Sequence, residues 1–125
     1  MEQQTGEDIM ELSFSFDMSE FVKEGLFKEK KEIFSFVSDV NFSTLKNGVG
    51  LENLEFIVVE NRVDFSDLED ARGMSNLKSI ESFGDHYLDG IYFNSLKSLD
   101  GLDNLEYVSG IVLNFDSLIN KDELI

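Results

Sequence analysis

The stretch SLKSLDGLDNLEYVSGIVLNF, residues 95–115, contains a spacing of residue types that recurs through the second two-thirds of the chain. An apolar residue is followed by Phe two positions later, by Leu after three more, by Gly after five more, and then by Leu or Met, Asn, Leu and a β-branched residue. Three copies are complete and a fourth begins near the end. The copies are Val40, Phe42, Leu45, Gly50, Leu51, Asn53, Leu54 and Ile57; Val63, Phe65, Leu68, Gly73, Met74, Asn76, Leu77 and Ile80; Ile91, Phe93, Leu96, Gly101, Leu102, Asn104, Leu105 and Val108; and Leu113, Phe115 and Leu118.

The length of the repeat indicates a solenoid. Successive Phe residues lie 23, 28 and 22 positions apart, a period typical of proteins that stack coils of 20 to 30 residues. The middle step is longer because the segment ESFGDHYLDG, residues 81–90, adds about half a dozen residues. The sequence therefore predicts a mainly β fold with short helical segments, in which about 3.5 right-handed coils stack to form a parallel sheet.

Each recurring residue type suits one position of a coil. The apolar-x-Phe pair predicts a short strand with both side chains on one face, because alternate residues of a strand point the same way. The glycines predict bends at positive φ, which glycine adopts at no steric cost. The asparagines predict hydrogen bonds from their amides to the backbone of the next coil.

A helix over residues 96–108 is the alternative interpretation of this stretch, because every third residue is apolar. A period of three drifts about 60° per step against the helical repeat of 3.6 residues. Asp100 and Gly101 also interrupt the pattern, and glycine disfavours a helix interior. These features favour the solenoid.

The phrase SLKSLDGLDNLEYVSGIVL resembles leucine-rich repeats of the receptor L-domain type, and the resemblance covers residues 40–118. It implies a solenoid that serves as a binding scaffold, and it implies no particular partner, because such scaffolds bind unrelated proteins. Receptor L domains are secreted, whereas this chain has no cysteine. The resemblance is therefore to the repeat and not to a receptor.

Residues 1–39 are predicted to form an N-terminal cap on the repeats of residues 40–125, within a single domain. Alternating apolar and polar residues predict a strand over residues 12–18. Asp17, Glu20 and Gly25 indicate the start and end of a helix over residues 18–24. The charged run at residues 28–32 predicts a solvated turn or helix face, and residues 33–37 predict a buried strand. An end coil needs such a cap, because no neighbour covers its apolar face.

The charge of the chain narrows the classes of partner. Twenty-six acidic and ten basic residues give a net charge of −16, which disfavours direct binding to nucleic acid or to an anionic membrane. The absence of cysteine fits a reducing compartment. No signal peptide or membrane-spanning run is visible in the sequence, so we expect a cytoplasmic protein.

Residues with catalytic potential are few. His86 is the one histidine of the sequence, and no Gly-x-Ser-x-Gly elbow, phosphate-binding loop or calcium loop is present. Asp85, His86 and Asp89 are the one set that resembles a metal-binding or acid-base group. In an inserted loop, such residues more often lie on the surface in contact with solvent and have no chemical role. The sequence predicts no enzyme activity, no cofactor and no metal.

Acidic residues are concentrated along the repeats, where they outnumber basic ones seven to one in residues 51–70 and again in residues 79–120. Stacking places residues one period apart side by side, such as Asp64 with Tyr92 and Glu69 with Lys97, which turns diffuse charge into stripes. Tyr87 and Tyr92 can supply aromatic anchors near the inserted segment. The candidate partner-binding residues are Glu60, Asp64, Asp67, Glu69, Asp85, His86, Tyr87, Asp89 and Tyr92.

These features favour a binding protein. The first hypothesis is a stoichiometric inhibitor, an immunity protein or antitoxin, that docks electrostatically onto a cationic toxin such as a nuclease and blocks it. A close variant is a phage anti-defence protein that mimics the charge of nucleic acid. The second hypothesis is a general repeat adaptor for a peptide or protein, with the charge serving solubility. We expect a monomer or weak homodimer.

Overall fold

The computed structural model describes residues 9–12, 17–35 and 39–118. These residues form strands and one short helix, joined by turns. The elements, in chain order, are β1 (Ile9–Leu12), α1 (Ser19–Lys23), β2 (Glu32–Ser35), β3 (Val40–Asn41), β4 (Phe56–Val59), β5 (Arg62–Asp64), β6 (Ser79–Ser82), β7 (Gly90–Tyr92), β8 (Tyr107–Ser109) and β9 (Val112–Asn114).

The strands form two parallel sheets, and the chain alternates between them. We call the five-stranded sheet, in the order β1-β2-β4-β6-β8, the wide sheet, and the four-stranded sheet, in the order β3-β5-β7-β9, the narrow sheet. Each circuit of the chain adds one strand to each sheet, which gives a parallel β-solenoid of about three turns. The predicted mainly β solenoid is confirmed, but it has two sheets where the sequence predicted one.

The core between the sheets is built from ladders of identical or similar side chains. The rings of Phe42, Phe65, Phe93 and Phe115 stack with centroids 5.1 to 5.2 Å apart. Offset aromatic pairs of this kind add about 0.5 to 1.5 kcal/mol each beyond their buried area. The repeated Leu and Ile positions are also buried in the first two copies, whereas Leu99, Leu105 and Val108 of the last complete copy are partly exposed.

The repeat glycines lie at bends with positive φ, as predicted. The values are 101° at Gly50, 104° at Gly73 and 96° at Gly101. Space also requires glycine, because a Cβ on Gly73 would lie 2.8 Å from the carbonyl oxygen of Gly48 in the preceding coil. The alternative of a helix over residues 96–108 is wrong, since this stretch forms turns followed by β8.

The repeat asparagines link coils, but toward the preceding coil and not the next one. The Nδ2 atom of Asn53 donates to the carbonyl of Lys28 at 2.7 Å, and that of Asn76 donates to the carbonyl of Glu52 at 2.8 Å. Asn104 makes the same bond to Ser75 at 2.7 Å. Each amide thus donates to a backbone carbonyl of the preceding coil.

The segment predicted as a cap continues the stacking of the repeats. Strands β1 and β2 extend the wide sheet, with Ile33 beside Ile57 in register. The predicted helix is present as α1, and the charged run at residues 28–32 is a turn that leads into β2. Of the predicted strands, residues 13–16 and 36–37 lie outside the described residues, as do residues 1–8 of the cap.

A second sequence pattern joins the cap to the repeats. Four side chains on the narrow-sheet side accept a hydrogen bond from the backbone N–H two residues later, at 2.9 to 3.0 Å. We call this set the Asx ladder; its members are Asp17, Asn41, Asp64 and Asn114. Asp17 forms a parallel bridge with Asn41, so the Asx-turn recurs through the narrow-sheet side from residue 17 onward. Within the described ranges, no helix has the length and apolar character needed to cross a bilayer.

Candidate functional site

The connection from β6 to β7 is longer than the other connections that lead from the wide sheet to the narrow sheet. Two residues join the wide sheet to the narrow sheet between β4 and β5, and two again between β8 and β9, but seven residues, 83–89, join β6 to β7. We call residues 83–89 the corner loop. Its position confirms that the extra residues of the middle repeat form an insertion at one edge of the coils, where solenoids commonly bind partners.

Asp89 holds the corner loop together from inside. Its Oδ2 accepts a hydrogen bond from the backbone N–H of His86 at 3.0 Å, and its own N–H donates to the carbonyl of His86 at 2.9 Å. Its carbonyl accepts from Val112 at 3.0 Å. Asp89 is only 7% exposed, so this candidate residue organises the loop and presents little surface to a partner.

The tip of the loop presents apolar surface. Tyr87 is 73% exposed and Leu88 is 44% exposed. The ring of His86 lies against that of Tyr87, with centroids 4.6 Å apart, and its Nδ1 accepts from the N–H of Leu88 at 3.3 Å. The sequence predicted Tyr87 as a surface anchor; it gave no signal for Leu88, because an isolated Leu in a repeat rich in Leu suggests the core.

Tyr92 supports the loop from the narrow sheet. Its hydroxyl donates to the carbonyl of Leu88 at 2.8 Å, and the Arg62 guanidinium lies 5.6 Å from its ring centroid. Tyr92 stands beside Asp64 in register, as predicted, at the position that Asx residues occupy in the other coils. The one coil with an inserted loop therefore replaces an Asx side chain by a tyrosine that reaches the insertion.

The charges around the corner loop are mostly negative. Glu60 and Asp85 are exposed and Asp64 is half-buried. The nearby cation, Arg62, is matched by Asp39, whose Oδ2 lies 3.4 Å from Nη2. Asp39 and Arg62 also line a shallow depression with His86 and Leu88. The sequence missed Asp39 and Arg62, since the stacking that joins them is not visible until the coils are in register.

Asp67 and Glu69 belong to a separate acidic group beyond the end of β5. Each carboxylate lies 3.9 Å from the ammonium of Lys46 in the preceding coil, and both side chains are about half exposed. Glu69 and Lys97 line one depression, as stacking predicts, but Lys46 is the residue that pairs with Glu69. The structure thus divides the nine candidate residues into a corner group of seven and this pair.

Asp70 and Arg72 form the tightest ion pair of the described surface, with 2.6 Å between Oδ2 and Nη2. The hydrogen bonds that the Arg72 side chain and backbone donate lower the pKa of Asp70 to about 2. This carboxylate therefore stays charged across the physiological range, and its charge is matched by the Arg72 guanidinium beside it.

Metal-binding and catalytic arrangements were the other chemistry considered for this corner. Among residues 9–12, 17–35 and 39–118, no three His, Cys, Asp or Glu side chains converge as metal ligands. The side chain of His86 packs on Tyr87 and accepts from a backbone amide. What the corner offers chemically is negative charge around an exposed aromatic and aliphatic tip.

The fold and this corner define the class of the protein, a short acidic parallel β-solenoid with one inserted corner loop. Comparison with protein-family models, with curated proteins and with solved structures yields no significant match. The geometry of the described residues is therefore the basis for the function proposed below.

Proposed function

We propose that this protein is an acidic protein-binding module whose partner is a positively charged protein. The observation that carries the proposal is the corner, where exposed Tyr87 and Leu88 stand among Glu60, Asp64 and Asp85. Protein interfaces commonly combine an apolar centre, often aromatic, with a polar rim. An acidic rim attracts a basic partner and speeds the encounter by long-range steering.

The specific form of the proposal is a stoichiometric inhibitor, an immunity protein or antitoxin, that acts in the cytoplasm without catalysis. A nuclease or a similar toxin presents Lys and Arg to phosphate, so a negative surface is complementary to its active site. The net charge of −16 supports this choice over a partner of neutral surface. The same features support a variant of this proposal, in which the protein is a phage anti-defence protein that mimics the charge of nucleic acid.

We also propose that the coils are of the leucine-rich type. Support comes from Leu45, Leu51 and Leu54, which are almost completely buried at the spacing of the repeat, and from the asparagines that bridge coils. A leucine-rich solenoid is a scaffold that presents side chains on a rigid surface. A general repeat adaptor is the second candidate function, favoured by the exposed apolar tip of the corner loop.

The salt dependence of the association rate tests the inhibitor proposal. The partner is first recovered by tagged pull-down at low salt, with the products of neighbouring genes as candidates. Between about 50 and 200 mM salt we expect its association rate to fall steeply, because screening removes the steering. An association rate that is insensitive to salt would contradict electrostatic docking and favour the adaptor.

Charge-reversal variants identify which acidic surface attracts the basic partner. The double variant Glu60→Lys and Asp85→Lys, at two exposed residues, should lower the association rate several-fold or more. A double reversal of Glu24 and Glu29, exposed near α1, changes the net charge equally and is the matched control. Equal losses in both variants would show that only net charge matters, and the corner proposal would then be wrong.

A further inference from the structure

The outer faces of the two sheets have opposite chemistry. Along the narrow sheet, the outward residues Asn41, Asp64, Tyr92 and Asn114 are in register, and their polar atoms bond to nearby backbone. Along the wide sheet, strands β2, β4 and β6 bury every second residue and leave the alternate side chains half-exposed. Several of these outward side chains are large and apolar, and each is at least partly exposed to solvent.

We call the outward apolar side chains of the wide sheet the aromatic face. It is mainly aromatic, and all of its members are half-exposed or exposed. Its members are Phe34, Phe56, Val58, Phe83 and Tyr107. Phe34 lies beside Val58 in register, and Val58 follows Phe56 by two residues on the same face. The apolar residues of β2 and β4 are therefore adjacent, and Tyr107 of β8 is separated from them by the polar outward residues Ser79 and Glu81 of β6.

Two aromatic residues flank a gap on this face. Register places Phe56, Ser79 and Tyr107 in one row across β4, β6 and β8. Strands in a sheet are about 4.8 Å apart, so the two aromatic residues stand about 10 Å from each other with a small serine between them. An extended polypeptide covers this distance in about three residues. One peptide segment can therefore contact both aromatic residues.

The charges on this face select a cationic occupant. Glu32 and Glu81 are outward residues of β2 and β6, beside Phe56 and Val58 respectively. The face already binds one cation of the chain itself: the Lys78 ammonium lies 5.9 Å from the Phe56 ring centroid and 3.7 Å from the Glu55 carboxylate. Aromatic rings flanked by carboxylates attract guanidinium and ammonium groups through cation–π and ionic contacts together.

We infer that the aromatic face binds an extended, arginine-rich segment of the basic partner, with a guanidinium between Phe56 and Tyr107 and a carboxylate from Glu81. The inference rests on the proposed function, because it supplies the second contact surface for the same cationic protein. It goes beyond that function by naming the chemistry of the segment and a surface on the other side of the coil from the narrow sheet. A second copy of this chain is a poor occupant, since each copy brings a net charge of −16.

The test uses a peptide of ten arginines as the probe, titrated into the isotope-labelled full chain and followed by NMR. Binding should saturate, with the largest shifts in β4, β6 and β8. A peptide of ten lysines should bind several-fold more weakly, because arginine stacks on rings more readily than lysine does. Shifts confined to the corner loop, or diffuse shifts that never saturate, would overturn the aromatic face as a site.

Paired variants test the rings of this face. Phe56→Leu with Tyr107→Leu keeps the apolar volume and removes the rings, so the protein should fold and its affinity for the arginine peptide should fall about fivefold or more. Phe21→Leu, at an exposed aromatic residue of α1 away from this face and from the corner loop, is the control and should leave that affinity unchanged. A loss in the control alone would overturn the inference while leaving the proposed function intact, whereas salt-insensitive binding of the basic partner would contradict the proposed function itself.

Sedimentation of the unliganded chain tests the competing occupant. If the aromatic face binds the basic partner, the unliganded chain should sediment as a monomer. The Phe56→Leu, Tyr107→Leu double variant should then sediment with the same mass. A concentration-dependent dimer that this pair dissociates would assign the face to a second copy and overturn the inference.

Discussion

The outer faces of the narrow sheet and the wide sheet are built on the same coils but use polar groups differently. On the narrow sheet, Asp64 and its equivalents in the Asx ladder bond to their own backbone two residues later. On the wide sheet, Phe56 and Val58 leave apolar surface beside acids. The comparison indicates a division of roles, in which the Asx ladder on the narrow sheet stabilises the fold, whereas the outward side chains of β4 and β6 contribute less to stability and more to the exposed surface.

The largest expected effect concerns the core that both sheets share. Leu77 is completely buried, and Leu77→Ala should lower the free energy of unfolding by about 2 to 5 kcal/mol, as expected for a cavity at a packed position. Leu105, the equivalent residue one coil later, is partly exposed and should lose roughly half as much when changed to Ala. Chemical denaturation measures both values. A loss below about 1 kcal/mol at both positions would contradict the repeat register.

The next effect concerns a bend that links the two sheets. Gly73 has a φ of 104°, and a Cβ there would meet the backbone of Gly48. Gly73→Ala should therefore destabilise by about 1 to 3 kcal/mol, since alanine is strained in this region and the backbone must shift. Thermal unfolding provides the measurement. Ser75→Ala, at an exposed turn position nearby, is the control and should change the melting temperature little.

A matched pair of acidic substitutions tests the comparison directly. Asp64 accepts from the backbone N–H and the hydroxyl of Ser66, so Asp64→Ala should cost about 1 kcal/mol of stability. Glu81→Ala, on the wide sheet, should cost less than about 0.5 kcal/mol, as is usual for surface substitutions. Asp64→Asn should retain most of the stability, because Asn41 and Asn114 make the same backbone bond. Equal costs for the two alanine variants would contradict the division of roles.

The smallest effect is a pH dependence at the start of the Asx ladder. Burial raises the pKa of Asp17, but the hydrogen bonds from Ser19 and Thr44 together outweigh it and lower the pKa below its usual 3.8. The stability that Asp17 contributes is therefore present above its unfolded-state pKa and is lost as pH falls through its folded-state pKa. Asp17→Asn should flatten the stability curve below pH 4 in urea titrations. An unchanged curve would show that Asp17 is not a linked group.

Much of the fold was predictable because each coil of a solenoid uses the same residue types at equivalent positions. Gly73 and Asn76 recur at fixed spacing, since each coil needs a bend at positive φ and a donor for a carbonyl at a turn. The apolar-x-Phe pairs predicted the strands of the narrow sheet, which are β3, β5, β7 and β9. The repeat strands of the wide sheet were not predicted, because β6 and β8 each contain one inward aliphatic residue, Ile80 and Val108, too few for an alternating pattern to be distinct. The cap was underestimated for a similar reason: Asp17, Met18 and Ser19 match Asn41, Phe42 and Ser43 too loosely for the repeat spacing to include them.

The candidate site was predictable only in part. The inserted loop was visible as a break in the period, and Tyr87 was a natural surface residue within it. The burial of Asp89 was not visible, because it depends on the loop folding back onto its own amides. The aromatic face was missed altogether, since Phe56 and Val58 alternate with the buried Ile57 and Val59 in an apolar run that suggests a strand buried on both faces.

The sequence by itself determined the coil: its length, its bends, its buried Phe and Leu ladders and its negative charge. These follow from local spacing, since each residue type meets the same requirement in every turn. Only the tertiary structure decided which side chains meet across coils and which sheet face exposes apolar side chains. Stacking register places Arg62 on Tyr92 and puts Phe56 and Tyr107 on either side of Ser79, and register is set by how whole coils pack against each other.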